Sequence, residues 1–137
     1  MLEPHFATAK TARCCHPLSV FYHIKLIYYP LQKFFGAPFG LTSKVPKSAF
    51  SYRTSSSAPV VHEADNGSGT LLHREFCGRC GSGILEYGAN AGDFVYVMHG
   101  TLDRPGELPP KGEFFCKERE DWLPEIPGIF HKQEIYE

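Results

Sequence analysis

Short apolar runs separated by Gly, Pro, Ser and Asn dominate the second half of the chain. Residues 71–76 and 84–87 are two such runs, and together they predict an antiparallel pair of strands joined by the loop between them. Residues 94–99 are rich in β-branched and aromatic side chains, which is typical of a strand. Residues 112–117 form a similar run after a turn-rich segment, and they predict a further strand.

The remaining segments predict loops and almost no helix. Residues 54–57 and 66–70 are Ser-, Gly- and Asn-rich and predict loops, and the one modest helical candidate is a single turn at residues 118–123. The apolar stretch 18–31 contains two basic residues and is too short to span a bilayer. It is either a buried pair of strands or an insertion foreign to the fold. The pattern as a whole predicts a mainly β, single-domain protein of short antiparallel strands.

Composition and charge narrow the function classes. The chain has 137 residues, 42% of them hydrophobic, and a net charge of −1, so one folded domain with its own core is expected. Residues 4–62 contain seven Lys and Arg and no Asp or Glu. These basic residues are scattered singly, whereas a nucleic-acid surface clusters them, so nucleic acid is not an expected partner. The N-terminus shows no secretory signal, and five cysteines without one indicate reduced thiols in an intracellular, cytoplasmic protein.

The segment from Phe76 to Gly83 carries the strongest chemical signal. Cys77 and Cys80 are separated by Gly-Arg and followed by Gly-Ser-Gly, the spacing with which two thiolates on one tight loop ligate zinc. A redox pair and two inert buried thiols are the alternatives. The redox interpretation is disfavoured because Gly-Ser-Gly is a poor start for the helix that a thioredoxin-type motif needs. We therefore predict Cys77 and Cys80 as zinc ligands.

Other residues are weaker candidates. The adjacent residues Cys14, Cys15 and His16 have side chains able to bind zinc, and the alternative is a pair of free thiols beside a surface imidazole. Cys116 lies in an aromatic run, where a small buried thiol is the usual outcome. Trp122 is expected to anchor the edge of the core.

Two histidines on predicted strands, His73 and His99, are expected to be ordinary half-buried side chains. Both lie near the predicted zinc ligands in the sequence. A supporting role behind those ligands is the alternative for each of them.

Several phrases occur in a fixed order along residues 32–137: Gly-Ala-Pro-Phe from Gly36, Val45-Pro46 with Phe50, Phe-Cys-Gly-Arg-Cys-Gly-Ser from Phe76, Gly-Thr-Leu-Asp from Gly100 and Glu-Asp-Trp-Leu from Glu120. In these the chain resembles the glutathione-dependent formaldehyde-activating enzyme / centromere protein V family. The resemblance implies a β-tent fold with two zinc sites. One is a structural site that joins an N-terminal Cys-x-Cys hairpin to the later Cys-x-x-Cys. The other is a catalytic site from Cys-His-Cys-x-x-Cys. It also implies carbon–sulfur lyase chemistry on glutathione adducts such as S-hydroxymethylglutathione, with glutathione or such an adduct as partner.

The chain departs from this pattern where the catalytic ligands are expected. By spacing from the Gly-Ala-Pro-Phe phrase, the three family cysteines fall at Leu26, Tyr28 and Leu31, and none of these side chains can hold zinc. We therefore expect an atypical N-terminal segment at residues 1–31, either displaced from the family motif or read across a wrong exon boundary, and a family-like β domain at residues 32–137. The expected function is a zinc-dependent carbon–sulfur lyase-like protein with impaired activity. The alternative is a non-catalytic zinc-knuckle β domain for binding or scaffolding.

Overall fold

The computed structural model describes residues 22–27, 29–52, 59–65, 69–102 and 104–134. Eight strands and one α-helix lie in these residues: β1 Tyr22–Leu26, α1 Tyr29–Phe35, β2 Gly40–Pro46, β3 Val60–Asp65, β4 Leu71–Phe76, β5 Gly83–Gly88, β6 Phe94–Met98, β7 Gly112–Phe114 and β8 Phe130–His131. Short 3₁₀ turns connect them at Lys47–Ala49, Ala89–Ala91, His99–Thr101, Pro105–Glu107 and Cys116–Glu118. The mainly β prediction is confirmed.

All eight strands form one sheet in the order β3-β4-β5-β6-β2-β1-β7-β8. The pairs from β3 to β1 are antiparallel, whereas β7 lies parallel to both β1 and β8. Strands β4 and β5 pair with His73 opposite Tyr87, and β6 pairs with β5 with Val97 opposite Leu85. The antiparallel pair around the Cys-x-x-Cys loop, with β6 in the same sheet, is therefore confirmed.

The apolar stretch 18–31 contains one described strand and most of the first turn of a helix, so the predicted pair of strands is wrong for its described part. Strand β1 lies between β2 and β7, inside the sheet. Helix α1 begins with a proline at its second position, where a missing N–H costs no hydrogen bond. It ends before Gly36, whose φ of +61° suits the residue that follows a helix. The boundary between an atypical segment at residues 1–31 and a domain at residues 32–137 stays a prediction. Strand β1 lies before that boundary and is nevertheless part of the sheet.

Aromatic side chains fasten α1 to the sheet. A Cβ at Gly40 would lie 1.9 Å from Cε2 of Phe35, so the ring occupies the space that a side chain on β2 would need. The Phe34 ring approaches Gly83 in the same way, with 3.0 Å between its Cζ and a Cβ placed there. Two glycines thus allow the helix to lie close against the sheet.

Three further sequence predictions need correction. Strand β7 ends at Phe114 because Phe115 has a φ of +59°, a left-handed conformation that cannot continue a strand. The following turn is a 3₁₀ turn at Cys116–Glu118, and no helix spans the described residues 118–123. Trp122 does not anchor the core, since 68% of its surface is exposed.

The main core lies between the middle strands and the connection after β6. Its buried members are Val45, Ile84, Leu85, Val95, Val97 and Leu102. A second, smaller cluster forms where α1 meets the end of β7, with Leu31 packed against Phe35, Phe114 and Phe115. Within the described residues, no helix is long and apolar enough to cross a membrane.

Candidate functional site

The Cys-x-x-Cys loop is a closed turn between β4 and β5. The N–H of Cys77 donates to the carbonyl of Ser82 at 2.8 Å, and the N–H of Gly81 donates back to the carbonyl of Cys77 at 2.8 Å. Gly81 has a φ of +74°, which a residue with a side chain rarely adopts. The chain therefore reverses within a few residues and holds both cysteines on one small loop, as the sequence predicts.

The two thiols differ in their surroundings. Cys77 is half-buried and packs against the main core, whereas Cys80 is exposed. The Ser82 hydroxyl lies 3.1 Å from Sγ of Cys80. Hydrogen bonds with the Ser82 side chain, with the Ser82 backbone and with Cys77 lower the pKa of the Cys80 thiol. Cys80 is the more reactive thiol by exposure and by its hydrogen bonds.

The loop supplies two donors for a metal, half of what a tetrahedral zinc site needs. Among the described residues, no group of three or more His, Cys, Asp or Glu side chains is placed to hold a metal ion. The weaker candidates Cys14, Cys15 and His16 lie outside the described residues. Cys77 and Cys80 therefore stay predicted ligands, and the remaining donors have to come from elsewhere in the chain or from outside it.

Two of the three positions where the family's catalytic cysteines are expected, Leu26 and Leu31, lie against β7. The backbone of Leu26 pairs with Gly40 on one side and with Phe114 on the other. Leu31 is 4% exposed and packs against the aromatic rings of the second cluster. Tyr28 lies outside the described residues. The described surroundings of Leu31 are thus apolar, and the rings that pack against it have no lone pair for zinc.

Cys116 follows this apolar cluster directly. It is buried, and its Sγ lies 3.6 Å from the carbonyl oxygen of Glu113. Burial raises the pKa of the Cys116 thiol, and the positive charge of Arg119 offsets part of that rise. A buried thiol with a raised pKa is a poor nucleophile and a poor metal ligand, which agrees with the sequence-based expectation of an ordinary buried cysteine.

A buried cluster of charges beside β1, β7 and β8 was not predicted from the sequence. Glu113 is fully buried, and its carboxylate lies 2.6 Å from Nζ of Lys25, 2.8 Å from a guanidinium nitrogen of Arg119 and 2.9 Å from Nε2 of His131. Burial raises the pKa of Glu113, but the contacts with Lys25, the N–H of Ile126 and the charge of Arg119 outweigh it, so the pKa lies below its ordinary value. Through these ion pairs the cluster links β1 and β8 to β7, although β1 is far from the other two strands in the sequence.

The two histidines singled out from the sequence, His73 and His99, have different surroundings. His99 opens a 3₁₀ turn after β6 and is buried, with Nδ1 3.1 Å from the hydroxyl of Ser43 and Nε2 3.0 Å from the carbonyl of Pro105. Nε2 therefore carries the hydrogen, and Nδ1 accepts from Ser43. Burial lowers the pKa of His99. Ser43 is 1% exposed, so this serine–histidine pair, which the sequence did not predict, is a buried structural link and offers no accessible nucleophile.

His73 is half-buried, as expected, and stacks on the ring of Tyr87 with 4.8 Å between ring centroids. Its Nε2 lies 3.0 Å from a carboxylate oxygen of Glu63. On the same strand, Glu75 accepts a hydrogen bond from Tyr52. Burial raises the pKa of Glu75, although a hydrogen bond from Tyr87 opposes the rise. These polar groups link β3, β4 and β5 immediately before the Cys-x-x-Cys loop.

A comparison with protein families identifies one match. A family profile described as Glutathione-dependent formaldehyde-activating enzyme matches residues 31–118. The match covers 88 of the 137 residues and includes the Cys-x-x-Cys loop and strands β2 to β7. No curated protein sequence matches the chain.

Proposed function

Because the chain belongs to the glutathione-dependent formaldehyde-activating enzyme family, we propose that it is a carbon–sulfur lyase-like protein with impaired turnover. Its proposed substrates are glutathione–aldehyde adducts such as S-hydroxymethylglutathione. The observation that carries the proposal is the packing of Leu31, at a position where the family resemblance implies a catalytic cysteine. That side chain packs against the rings of Phe35, Phe114 and Phe115. The position therefore holds a hydrocarbon side chain where a zinc ligand would need a thiolate.

Zinc is part of the proposal. Cys77 and Cys80 would supply two thiolate ligands from the closed loop, a number that supports weak binding unless further donors complete the set. In a complete catalytic site, zinc supplies a Lewis acid for the oxygen or sulfur of a bound adduct. The described side chains around Leu31 would instead exclude water and present an apolar surface, which neither polarises an adduct nor moves a proton.

The test restores the three cysteines at positions 26, 28 and 31 in one variant and compares it with the natural chain. Formation and breakdown of the formaldehyde–glutathione adduct are followed by NMR, against a protein-free reaction at equal thiol concentration because the adduct also forms unaided. We expect the natural chain to match the protein-free rate. The restored variant should hold more zinc and accelerate the reaction, by about 10²–10⁴-fold if one well-placed acid–base group operates.

Cys116→Ser is the matched control, since it removes a buried thiol outside the proposed ligand set. It should leave both the metal content and the rate of the restored variant unchanged. An acceleration by the natural chain that a chelator abolishes would contradict impaired turnover.

A non-catalytic binding or scaffolding domain is the second candidate function. The same packing of Leu31 favours it, because a core position filled by leucine contributes to stability whether or not any substrate is turned over. The two candidates separate in the restored variant. Tight zinc binding without any acceleration would favour the non-catalytic domain.

A further inference from the structure

We propose that two copies of this chain bind one zinc ion between them, with Cys77 and Cys80 of each copy as the four ligands. The inference deepens the zinc part of the proposed function and rests on the assignment of these two cysteines as zinc ligands. It identifies the source of the two missing donors, which is the same loop of a second copy related by a two-fold axis. The donor set, the openness of the loop and its charge carry the argument.

The described part of the chain contains no donor that completes a tetrahedral site at the Cys-x-x-Cys loop. A structural zinc site takes four protein ligands, and among the described residues no His, Cys, Asp or Glu joins the two cysteines in a group of three. Cys116 is buried and follows β7, which lies four strands away from β5 in the sheet. A second loop across a two-fold axis contributes two more thiolates and completes the set.

The outer side of the loop is open to another chain. Residues 78–81, which include Cys80, are exposed. Apart from its neighbours in the chain, a Cβ placed on Gly81 would meet no described atom within 4 Å, and a Cβ placed on Gly78 would meet only Val60. Glycines on an uncovered loop allow a second backbone to come close. Two such loops can therefore approach until their thiolates share an ion.

The charge of the loop favours a shared metal ion over a contact without one. Residues 76–83 contain one basic residue, Arg79, and no acidic residue. When a metal deprotonates both thiols, the guanidinium offsets one of the two negative charges on each loop. Two such loops repel each other, and the two positive charges of a zinc ion balance the negative charge that remains. The two copies should therefore associate with zinc and separate in a chelator.

Val60 at the start of the edge strand β3 borders the loop. Its Cγ2 lies 3.1 Å from the position that a Cβ on Gly78 would take, and 44% of its surface is exposed. Among the described strands, β3 pairs only with β4, so its other edge has no described strand beside it. A second copy seated on the loop covers this valine. Burial of the exposed part of Val60 adds an apolar contact to the metal bridge.

The experiment measures the mass of the full natural chain by sedimentation velocity in tris(carboxyethyl)phosphine, first with a chelator and then during a titration with zinc. We expect a monomer in the chelator and a dimer that is complete at one zinc ion per two chains. A monomer that holds one zinc ion per chain would overturn the shared site, and so would a dimer that persists in the chelator. A chain that stays monomeric and binds no zinc would overturn the zinc assignment as well. No turnover is measured, so each outcome is independent of the rate test of the proposed function.

Cobalt in place of zinc counts the thiolates on the shared ion. Charge-transfer absorption from thiolate to cobalt should indicate a tetrahedral site with four thiolates in the natural chain, and two thiolates per ion would contradict the bridge. Cys80→Ser should stay monomeric at the zinc concentration that dimerises the natural chain. Cys116→Ser is the matched control, since it removes a buried thiol, and it should dimerise as the natural chain does.

The contact at Val60 has a matched control in the next residue. Val60 and Val61 are 44% and 45% exposed, and neighbouring residues of a strand point to opposite faces of the sheet. Val60→Lys should weaken the zinc-linked dimer about three- to tenfold, whereas Val61→Lys should leave it unchanged. Equal weakening by both substitutions would overturn the contact at Val60.

A last variant tests whether the same chain supplies the missing donors. Cys14→Ser/Cys15→Ser/His16→Asn removes the weaker ligand candidates and leaves the Cys-x-x-Cys loop intact. We expect it to dimerise with zinc at the same ratio of one ion per two chains. Loss of zinc binding in this variant would show that the donors come from within one chain, which would overturn the bridge.

Discussion

The buried carboxylate of Glu113 offers the sharpest test of how this sheet is held together. It contacts Lys25 on β1, Arg119 after β7 and His131 on β8, and it also accepts a hydrogen bond from the N–H of Ile126 at 3.3 Å. Glu113→Gln preserves the size of the side chain and removes its charge. The change therefore isolates the electrostatic part of the cluster.

The expected loss of stability can be assigned to one member of the cluster. Arg119 keeps Glu125 at 3.2 Å, and His131 keeps the carbonyl of Ile126 at 3.0 Å. Lys25 is 3% exposed and is left with the carbonyl of Pro124 at 3.5 Å and the face of Phe39 at 4.6 Å. Removing one partner of a buried ion pair costs about 3–5 kcal/mol. We expect Glu113→Gln to lower the free energy of unfolding by that amount, a large share of a typical total of about 5–15 kcal/mol.

The measurement is urea denaturation followed by far-UV circular dichroism, since the one tryptophan, Trp122, is largely exposed and reports little on burial. Glu107→Gln is the matched control, because Glu107 and Arg104 form an exposed pair on the surface. It should change stability by less than about 1 kcal/mol. The double variant Lys25→Met/Glu113→Leu should recover most of the loss, because it leaves no buried charge unpaired.

The pH dependence follows from the lowered pKa of Glu113. A carboxylate whose pKa is lower in the folded than in the unfolded state stabilises the fold above its unfolded pKa, about 4.3 for glutamate. That contribution is lost as the pH falls through the folded pKa. The difference between the natural chain and Glu113→Gln should therefore be constant near neutrality and shrink at acid pH. A loss below 1 kcal/mol at neutral pH, or a double variant no more stable than the single one, would refute the reasoning.

Three further predictions concern packing and metal content. Gly40→Ala should lower the free energy of unfolding, measured by urea denaturation, by about 1–3 kcal/mol because its Cβ would collide with the Phe35 ring. Adding Phe35→Leu in the same chain should recover part of the loss. A Gly40→Ala variant as stable as the natural chain would contradict the close approach. Leu31→Ala should cost about 2–5 kcal/mol in the same assay, and a cost under 1 kcal/mol would show that Leu31 is not a core residue. The purified chain should hold less than one zinc ion per molecule, with less in Cys77→Ser and no change in Cys116→Ser, by elemental analysis; two tightly bound ions would refute this.

The local part of the fold could be predicted from the sequence. The β-branched residues of β6 and the glycines around the Cys-x-x-Cys loop act over a few residues, so a short window contains their whole signal. The pairing of β4 with β5 followed because the loop between them is short. The same locality made the Cys77–Cys80 knuckle predictable as a turn.

Helix α1 and the end of β7 could not be predicted in this way. The helix itself reads Tyr-Pro-Leu-Gln-Lys-Phe-Phe, and so short a segment of mainly apolar residues does not distinguish strand from helix. The strand after Gly112 stops at Phe115, whose left-handed φ carries no sequence signal because phenylalanine rarely adopts it. Tertiary packing decided both outcomes.

The charge cluster was missed for a different reason. Lys25 and Glu113 are distant in the sequence and become neighbours only because β1 enters the sheet beside β7. Each looks alone like an ordinary surface charge, and opposite charges that meet across a sheet leave no motif. Such a pair can be found only after the strand order is known.

The residues that replace the expected zinc ligands also explain why restoring those ligands has a cost. Leu31 fills a core position, and β1, next to it in sequence, contributes the buried Lys25 of the charge cluster. Exchanging Leu31 for cysteine removes buried apolar surface, and large-to-small core substitutions cost about 2–5 kcal/mol when the cavity stays open. A complete zinc site contributes on the order of 10–16 kcal/mol in small zinc domains, so metal binding at a restored site would outweigh that loss. The restored variant should then be less stable than the natural chain in a chelator and more stable in zinc, a reversal that simple damage to the core would not produce.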